Sequence, residues 1–238
     1  VEDELAAVRA QLQQIVGLEP VKDYILSLEE TCRVNEMRRA RGLKTAPISM
    51  HMIFTGNPGT GKTTIARLIA RYLKAVGALS EGQLVEVTRA DLVGKYVGHT
   101  APLTMQAVRA ALGGVLFIDE AYSLCRGQDD TFGLEAIDTL VKAMEDYRDN
   151  LVVILAGYSR EMKLFLQANS GLRSRFPNQI EFPDYTGEEL TQIACSLARE
   201  RGYRIDESAL KPLTAYFSAV QATDARTGGN GRLARNVV

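Results

Sequence analysis

The stretch "HMIFTGNPGTGKTTIARLIARYL", His51–Leu73, passes from an apolar run through clustered glycines into an amphipathic repeat. With the residues just before it, the apolar run "ISMHMIFTG", Ile48–Gly56, reads as a strand. The segment after it places Ile65, Leu68, Ile69 and Leu73 on one helical face. The bend between them, "GNPGTGKT" from Gly56 to Thr63, fits the spacing G-x-x-x-x-G-K-[ST]. Phosphates are strongly anionic, and converging backbone N–H groups hold them best where no bulky side chain intrudes. Gly56, Gly59 and Gly61 permit that backbone path, with Asn57, Pro58 and Thr60 completing the loop. Lys62 brings a point charge to the β- and γ-phosphates, the Thr63 hydroxyl suits Mg²⁺, and Thr64 follows in the first helical turn. The N-terminal dipole of that helix also favours an anion. A strand-to-helix turn with a surface lysine is the competing reading, and the strand–loop–helix context favours the phosphate cradle.

"GGVLFIDEAYSL" adds a second element. It delivers Asp119 and Glu120 at the C-terminal end of an apolar strand, the edge where a parallel sheet binds ligands. One carboxylate can reach Mg²⁺, and its neighbour can orient or deprotonate a water. Two acids opening a helix would explain this element alone, but a cradle and an acid pair together imply an ATP or GTP hydrolase site.

Residues around Glu4–Gln14 and Val21–Arg41 show helical spacing, with Gly17 breaking the pattern between them. "LVEVTRADL" alternates and predicts a strand; "PLTMQAVRAAL" and "LEAIDTLVKAMEDY" predict helices. "GVLFIDE" and "NLVVILAGY" are apolar throughout, which predicts strands of a parallel sheet covered on both faces. From Thr186 onward only helical patterns follow. The fold expected is therefore α/β, a parallel sheet flanked by helices with a small C-terminal all-α domain. Its divisions are N-terminal helices over residues 1–45, an α/β core over 46–185 and a helical unit over 186–238. The chain opens on Val and stops within a helical pattern, so a trimmed or partial sequence is expected.

Of the 238 residues, 46% are hydrophobic, enough for a substantial core. A net charge of −1 supplies no overall attraction to nucleic acid or to an anionic membrane. The cysteines at positions 32, 125 and 195 lack metal-ligand spacing and read as small core hydrophobes of a reducing compartment. No run approaches a membrane span and the N-terminus has no secretory h-region, so a cytoplasmic location is expected. With two histidines far apart in sequence, His51 and His99, a His-based metal site is not expected.

With both motifs in hand, the chain resembles the AAA+ ATPases. Within them it is similar to the group containing the red-type Rubisco activase CbbX and the stage V sporulation protein K. "RADLVGKYVGHTA", "LVVILAGYSREM", "GLRSRFPNQIEFPDYT" and "NGRLARN" carry the resemblance along with the two motifs. It implies an ATPase core of the P-loop NTPase type, a helical lid, ATP or ADP with Mg²⁺ between them, and a homo-oligomeric, usually hexameric ring. It assigns Lys62 and Thr63 to the Walker A motif, Asp119 to the Mg²⁺-associated acid and Glu120 to the catalytic base. "LRSRF" would carry an arginine finger that completes a neighbour's site, Arg175 first and Arg173 second. Sensor 2 would be Arg232, with Arg235 as its rival. Sensor 1 departs from the family's usual Asn or Thr, leaving Tyr158 or Ser159. "IVGLEPVK" is similar to the adenine hinge, with Val16, Gly17 and Leu18 against the base; a helix-breaking glycine explains it equally well.

"GKYVGHT" follows the alternating segment where the resemblance implies a substrate-gripping pore loop, Tyr96-Val97-Gly98. An aromatic ring grips any passing chain by contact area, without sequence preference; Tyr96 packed within the monomer is the alternative. Gly94 and Gly98 would let the loop swing. "RGQDD", Arg126–Asp130, reads as an exposed polar loop or a second pore loop. The function expected is an ATP-driven remodeller that engages a protein client, Rubisco-activase-like or sporulation protein K-like. A nucleic-acid motor or clamp loader and a nucleotide-gated scaffold are the alternatives. Near-neutral charge speaks against the first and the acid pair against the second.

Overall fold

The computed structural model describes residues 2–45 and 49–238. Two helices open the chain, α1 (Glu2–Gln14) and α2 (Glu19–Ala40). The core runs β1 (Met52–Gly56), α3 (Lys62–Ala75), β2 (Leu84–Val87), α4 (Arg89–Leu92), α5 (Thr100–Ala111), β3 (Val115–Ile118) and, after a 3₁₀ turn at Ala121–Leu124, α6 (Thr131–Asp146). It continues through β4 (Val152–Gly157), α7 (Ser159–Ala168), α8 (Ser170–Arg173) and β5 (Asn178–Phe182). Three helices close the chain, α9 (Gly187–Glu200), α10 (Glu207–Gly228) and α11 (Gly231–Val237). Ile48, the first residue of the apolar run expected as a strand, lies outside the described residues.

The five strands pair in parallel in the order β2-β3-β4-β1-β5, with Ile53 of β1 opposite Leu155 of β4 and Gln179 of β5. Alternate strand residues enter opposite layers. Met52, Phe54, Phe117 and Ile154 face one layer with α1, α2, α3 and apolar residues of the C-terminal helices. Ile53, Leu116, Ile118, Val153 and Leu155 face the other, against α5, α6 and α7. Both layers are covered, which is why β3 and β4 read as apolar without alternation. Full burial of each such side chain contributes roughly 1.5–3 kcal/mol.

Several expectations are corrected. The strand expected over "LVEVTRADL" stops at Val87; Thr88 instead caps the short helix α4 through a reciprocal pair with Asp91. Cys32, Cys125 and Cys195 are half-buried at the margins of the core rather than inside it. In "RGQDD" residues Arg126–Asp129 are exposed, as the polar-loop reading expects, and Asp130 is half-buried. Asp130 caps α6 by accepting from Gly133 N and pairs with Arg89, whose guanidinium holds its carboxyl well below the usual range. That pairing makes the segment a fixed connection between α4 and α6. Within the C-terminal helical stretch, α10 runs to Gly228 with a non-helical break at Asp224. Strand β5 and helices α7 and α8 are additions to the sequence reading.

Candidate nucleotide site

The C-terminal ends of β1, β3 and β4 open into a cleft of about 620 Å³, closed on the far side by α9 and α11. Its floor is the loop from Gly56 to Thr63. Gly59 and Gly61 adopt positive φ, and a Cβ on Gly59 would run into the carbonyl oxygen of Gly229. Thr60 is fully buried and donates to Asn57 O at 2.9 Å, closing the loop on itself. Lys62 Nζ lies among its own loop carbonyls, donating to Gly56 O at 2.8 Å and Asn57 O at 2.9 Å. Burial lowers the Lys62 pKa to about 8, with Arg232 adding to the effect and Asp119 and Asp184 opposing it. Thr63 lines the cleft beside Asp119 and Glu120, while Thr64 sits at its exposed margin.

Parallel pairing sets the acids. Asp119 continues β3 by donating its N–H to Val87 O at 3.0 Å, and its Oδ1 accepts from Glu120 N at 2.9 Å. Glu120 then turns left-handed, at φ 48° and ψ 47°, which ends the strand and opens the 3₁₀ turn. A non-glycine residue in that region is held there by its surroundings and costs on the order of 1–3 kcal/mol. Glu120 is exposed in the cleft wall.

The opposite wall is apolar. Gly17 and Leu18 both have positive φ, and this left-handed pair carries Ile15, Val16 and Leu18 into the cleft, facing Ile193 and Leu197 of α9. Gly17 packs against Glu189, where no Cβ fits. Tyr185 connects wall to floor by donating its hydroxyl to Thr60 O at 3.1 Å; burial pushes its pKa up to about 12.

Of the paired alternatives, Tyr158 lines the cleft, and Ser159 begins α7 behind it. Arg232 and Arg235 both line it. Tyr158 stacks on Tyr122 at 6.1 Å between ring centroids, and the Arg226 guanidinium lies 4.3 Å over its ring. Arg226 also donates to Glu161 Oε1 at 2.9 Å, bridging α10 to α7. Nothing in the spacing of α10 and α7 announces that bridge. Tyr185, Ile193 and Leu197 therefore line the cleft beyond the sequence reading, while Asp184 and Arg226 stand behind its lining, against Asn57 and Tyr158. "FPDY" and the apolar face of α9 were the available signals for four of them.

Arg173 and Arg175 are not brought to this cleft. Arg173 is exposed at the end of α8. Arg175 turns its Nη1 back to Gly171 O at 2.7 Å, and its Nε is buried without a partner. It lines a separate hollow of about 870 Å³ with Arg39, Arg148 and His51, at the N-terminal ends of the strands. The loop after α4 also stands apart. Tyr96 is 68% and Val97 88% exposed, so of the two readings the structure has the outward placement rather than packing within the monomer. Gly98 has open space around it, whereas Gly94 donates its N–H to the buried Thr100 Oγ1 at 3.0 Å and has no room for a Cβ beside His99. Gly94 is thus a fixed base rather than a swinging hinge. Among the described residues no group of three His, Cys, Asp or Glu side chains could hold a metal ion, and no helix is long and apolar enough to cross a membrane.

The profile of the ATPase family associated with various cellular activities (AAA) matches residues 52–184, and that of an AAA lid domain matches residues 186–238. The chain belongs to the AAA ATPases. Stage V sporulation protein K of Bacillus subtilis (strain 168) is 48% identical over 235 residues, covering 98% of this chain and 73% of that one. Protein CbbX of Cereibacter sphaeroides is 48% identical over 206 residues, covering 86% and 67%. The ESX-1 secretion system protein EccA1 of Mycolicibacterium smegmatis is 43% identical over 243 residues, covering 98% of this chain and 42% of its own length. The fold is shared with the crystallised FIGL-1 AAA domain in complex with ADP, at TM-score 0.63 and 22% identity, over 89% of this chain and 68% of that one. As an AAA ATPase the chain binds nucleotide and hydrolyses ATP, and α9–α11 form its lid.

Proposed function

We propose that this ATPase drives a protein remodeller, working as a ring, a hexamer by family habit, whose subunits grip a client protein with Tyr96, Val97 and Gly98. The observation that carries the reading is the exposure of Tyr96 and Val97 on a loop whose base is pinned at Gly94 and Thr100. A ring and a methyl pair held in solvent gain contact area only from a partner.

In the cleft, the adenine lies between Val16, Gly17 and Leu18 on one side and Ile193 and Leu197 on the other. The phosphates lie over Asn57–Thr64, with Lys62 leaving the carbonyls of Gly56 and Asn57 for the β- and γ-phosphates. Glu120 accepts a proton from the attacking water, and Tyr158 orients that water. Arg232 meets the γ-phosphate from the lid, with Arg235 one turn behind. The Thr63 hydroxyl and Asp119 carboxylate are oxygen donors that fit Mg²⁺, which would neutralise charge on the phosphate oxygens when bound. Arg175, or Arg173 beside it, would reach the γ-phosphate of a neighbouring subunit. Both lie away from their own cleft, as a residue acting in trans requires.

The test is Tyr96→Ala. Basal hydrolysis should persist within about twofold, while stimulation by a protein client, sought by capture on an ATP-locked variant, should disappear. A variant that is stimulated as wild type is, or stimulation of the wild type by DNA or RNA alone, would contradict the reading. Overall charge of −1 supplies no general attraction to a polyanion.

A further inference from the structure

Asn230 has no exposed surface, yet it stands at φ 48° and ψ −116°, a backbone region rarely used outside glycine. Its amide is fully used. Oδ1 accepts from Tyr185 N at 2.9 Å and from Gln221 Nε2 at 2.8 Å. Nδ2 donates to Asp184 Oδ1 at 2.9 Å and to Pro58 O at 3.2 Å, with Ala225 O at 3.4 Å. The partners fix which way the amide points, because Tyr185 N can only donate and Pro58 O can only accept. Asparagine alone among the short side chains offers paired acceptor and donor ends at this reach.

Those partners come from three places: the phosphate loop, the strand-to-lid junction and α10. Asp184 also accepts from Asn57 Nδ2, at 3.0 Å, so the junction grips the phosphate loop at a second point. The next residue, Gly231, donates its N–H to Gly59 O at 2.8 Å. With the carbonyls of Pro58 and Gly59 both committed to the lid, the peptide planes of the loop cannot rotate unless the lid moves. Arg232 follows within the first turn of α11, so the same anchor sets where its side chain enters the cleft.

We infer that Asn230 is a positioning residue for ATP binding, which locks the phosphate loop and the lid into one register and thereby places Arg232. The inference rests on the placement of the triphosphate over Asn57–Thr64. A nucleotide that turns the loop amides toward its phosphates would draw on the Asn230 contacts, and a lid that moves would alter the loop in return, as reciprocal coupling requires.

The test uses Asn230→Asp, Asp184→Asn and their double variant, titrated with a fluorescent non-hydrolysable ATP analogue on folded protein, with thermal unfolding followed in parallel. Asn230→Asp keeps the shape, replaces the donor by an acceptor against Asp184 and Pro58 O, and should weaken binding at least about tenfold. Asp184→Asn keeps an acceptor for both amides and should stay within about threefold. In the double variant the amide introduced at position 184 donates to the carboxylate introduced at position 230, and more than half of the lost affinity, on a logarithmic scale, should return. A residue that merely supports the fold would lower the unfolding temperature without this rescue of affinity. Wild-type affinity in a folded Asn230→Asp protein would overturn the inference. So would a folded double variant that binds no better than Asn230→Asp or, where that single variant does not fold, about tenfold or more below wild type. Wild type and Lys62→Ala, run alongside, test the placement of the phosphates separately: equal binding by those two would move the nucleotide elsewhere and overturn the inference through its premise, whereas weaker binding by Lys62→Ala with wild-type affinity in Asn230→Asp would overturn the inference alone.

Discussion

Lys62 carries an ammonium between two carbonyl oxygens of its own loop, and burial holds its pKa near 8 against an ordinary 10.5. A phosphate anion placed there raises that pKa again, because the charged form gains a partner. The sign follows. Above pH 8 the free protein has a mostly neutral lysine and the complex a charged one, so binding takes up a proton; near pH 6.5 the lysine is charged in both and takes up none. Calorimetry at pH 8.5 in two buffers of unlike ionisation heat should report uptake of about three quarters of a proton per site. No uptake would show that Lys62 does not change surroundings on binding. The "GKT" sequence makes the lysine legible but not its resting place, since only the folded loop brings Gly56 O and Asn57 O around the ammonium.

At the level of elements, β1, β3, β4 and α3 were legible because sheet and core impose a period or an unbroken apolar run. Strand β5, "NQIEF", was not: as an edge strand it buries Ile180 and Phe182, half-buries Asn178 and exposes Gln179 and Glu181, so its composition is that of a loop. The end of β2 was misread because Thr88-Arg89-Ala90-Asp91 keeps the alternation while forming a capping box, and the box won. His51 shows what joins two strands at their start. Its Nδ1 accepts from Val153 N at 2.9 Å, next to β1, and burial lowers its pKa to about 4 from 6.5. The unfolded chain binds this proton below pH 6.5 and the folded chain only near pH 4, so stability is full above 6.5 and falls as the pH drops to 4. Urea unfolding at pH 7 and pH 5 should differ by about 2 kcal/mol from this residue. His51→Gln, which can still accept from Val153 N but does not titrate, should flatten that dependence; an unchanged slope would assign it to other groups. Asp130 does not contribute in this window, since its lowered pKa places its loss of stability below the unfolded value of 3.8.

For the whole molecule, the two-layer core fixes a sheet whose C-terminal edge, lid and N-terminal hinge close around one cleft, while "LRSRF" and Tyr96 point elsewhere. The sequence motifs marked the cleft, "LRSRF" and the Tyr96 loop separately, and spacing alone could not say that they face different directions or that Asn230 joins lid to loop. If hydrolysis needs a neighbour, Arg175→Ala should lose turnover at least about hundredfold while keeping nucleotide affinity. Mixing it with Lys62→Ala subunits should then return activity, because intact fingers meet intact clefts. Full turnover of Arg175→Ala in a dilute, unassembled sample would remove the finger from Arg175. In the proposed remodeller, work on a client is driven by cleavage of ATP in the cleft, with Glu120 at the end of β3 as the base. The most direct measurement is therefore nucleotide affinity and single-turnover hydrolysis by Glu120→Gln. The account predicts affinity within about threefold of wild type and hydrolysis slowed by about a hundredfold or more; cleavage at a near wild-type rate would contradict it.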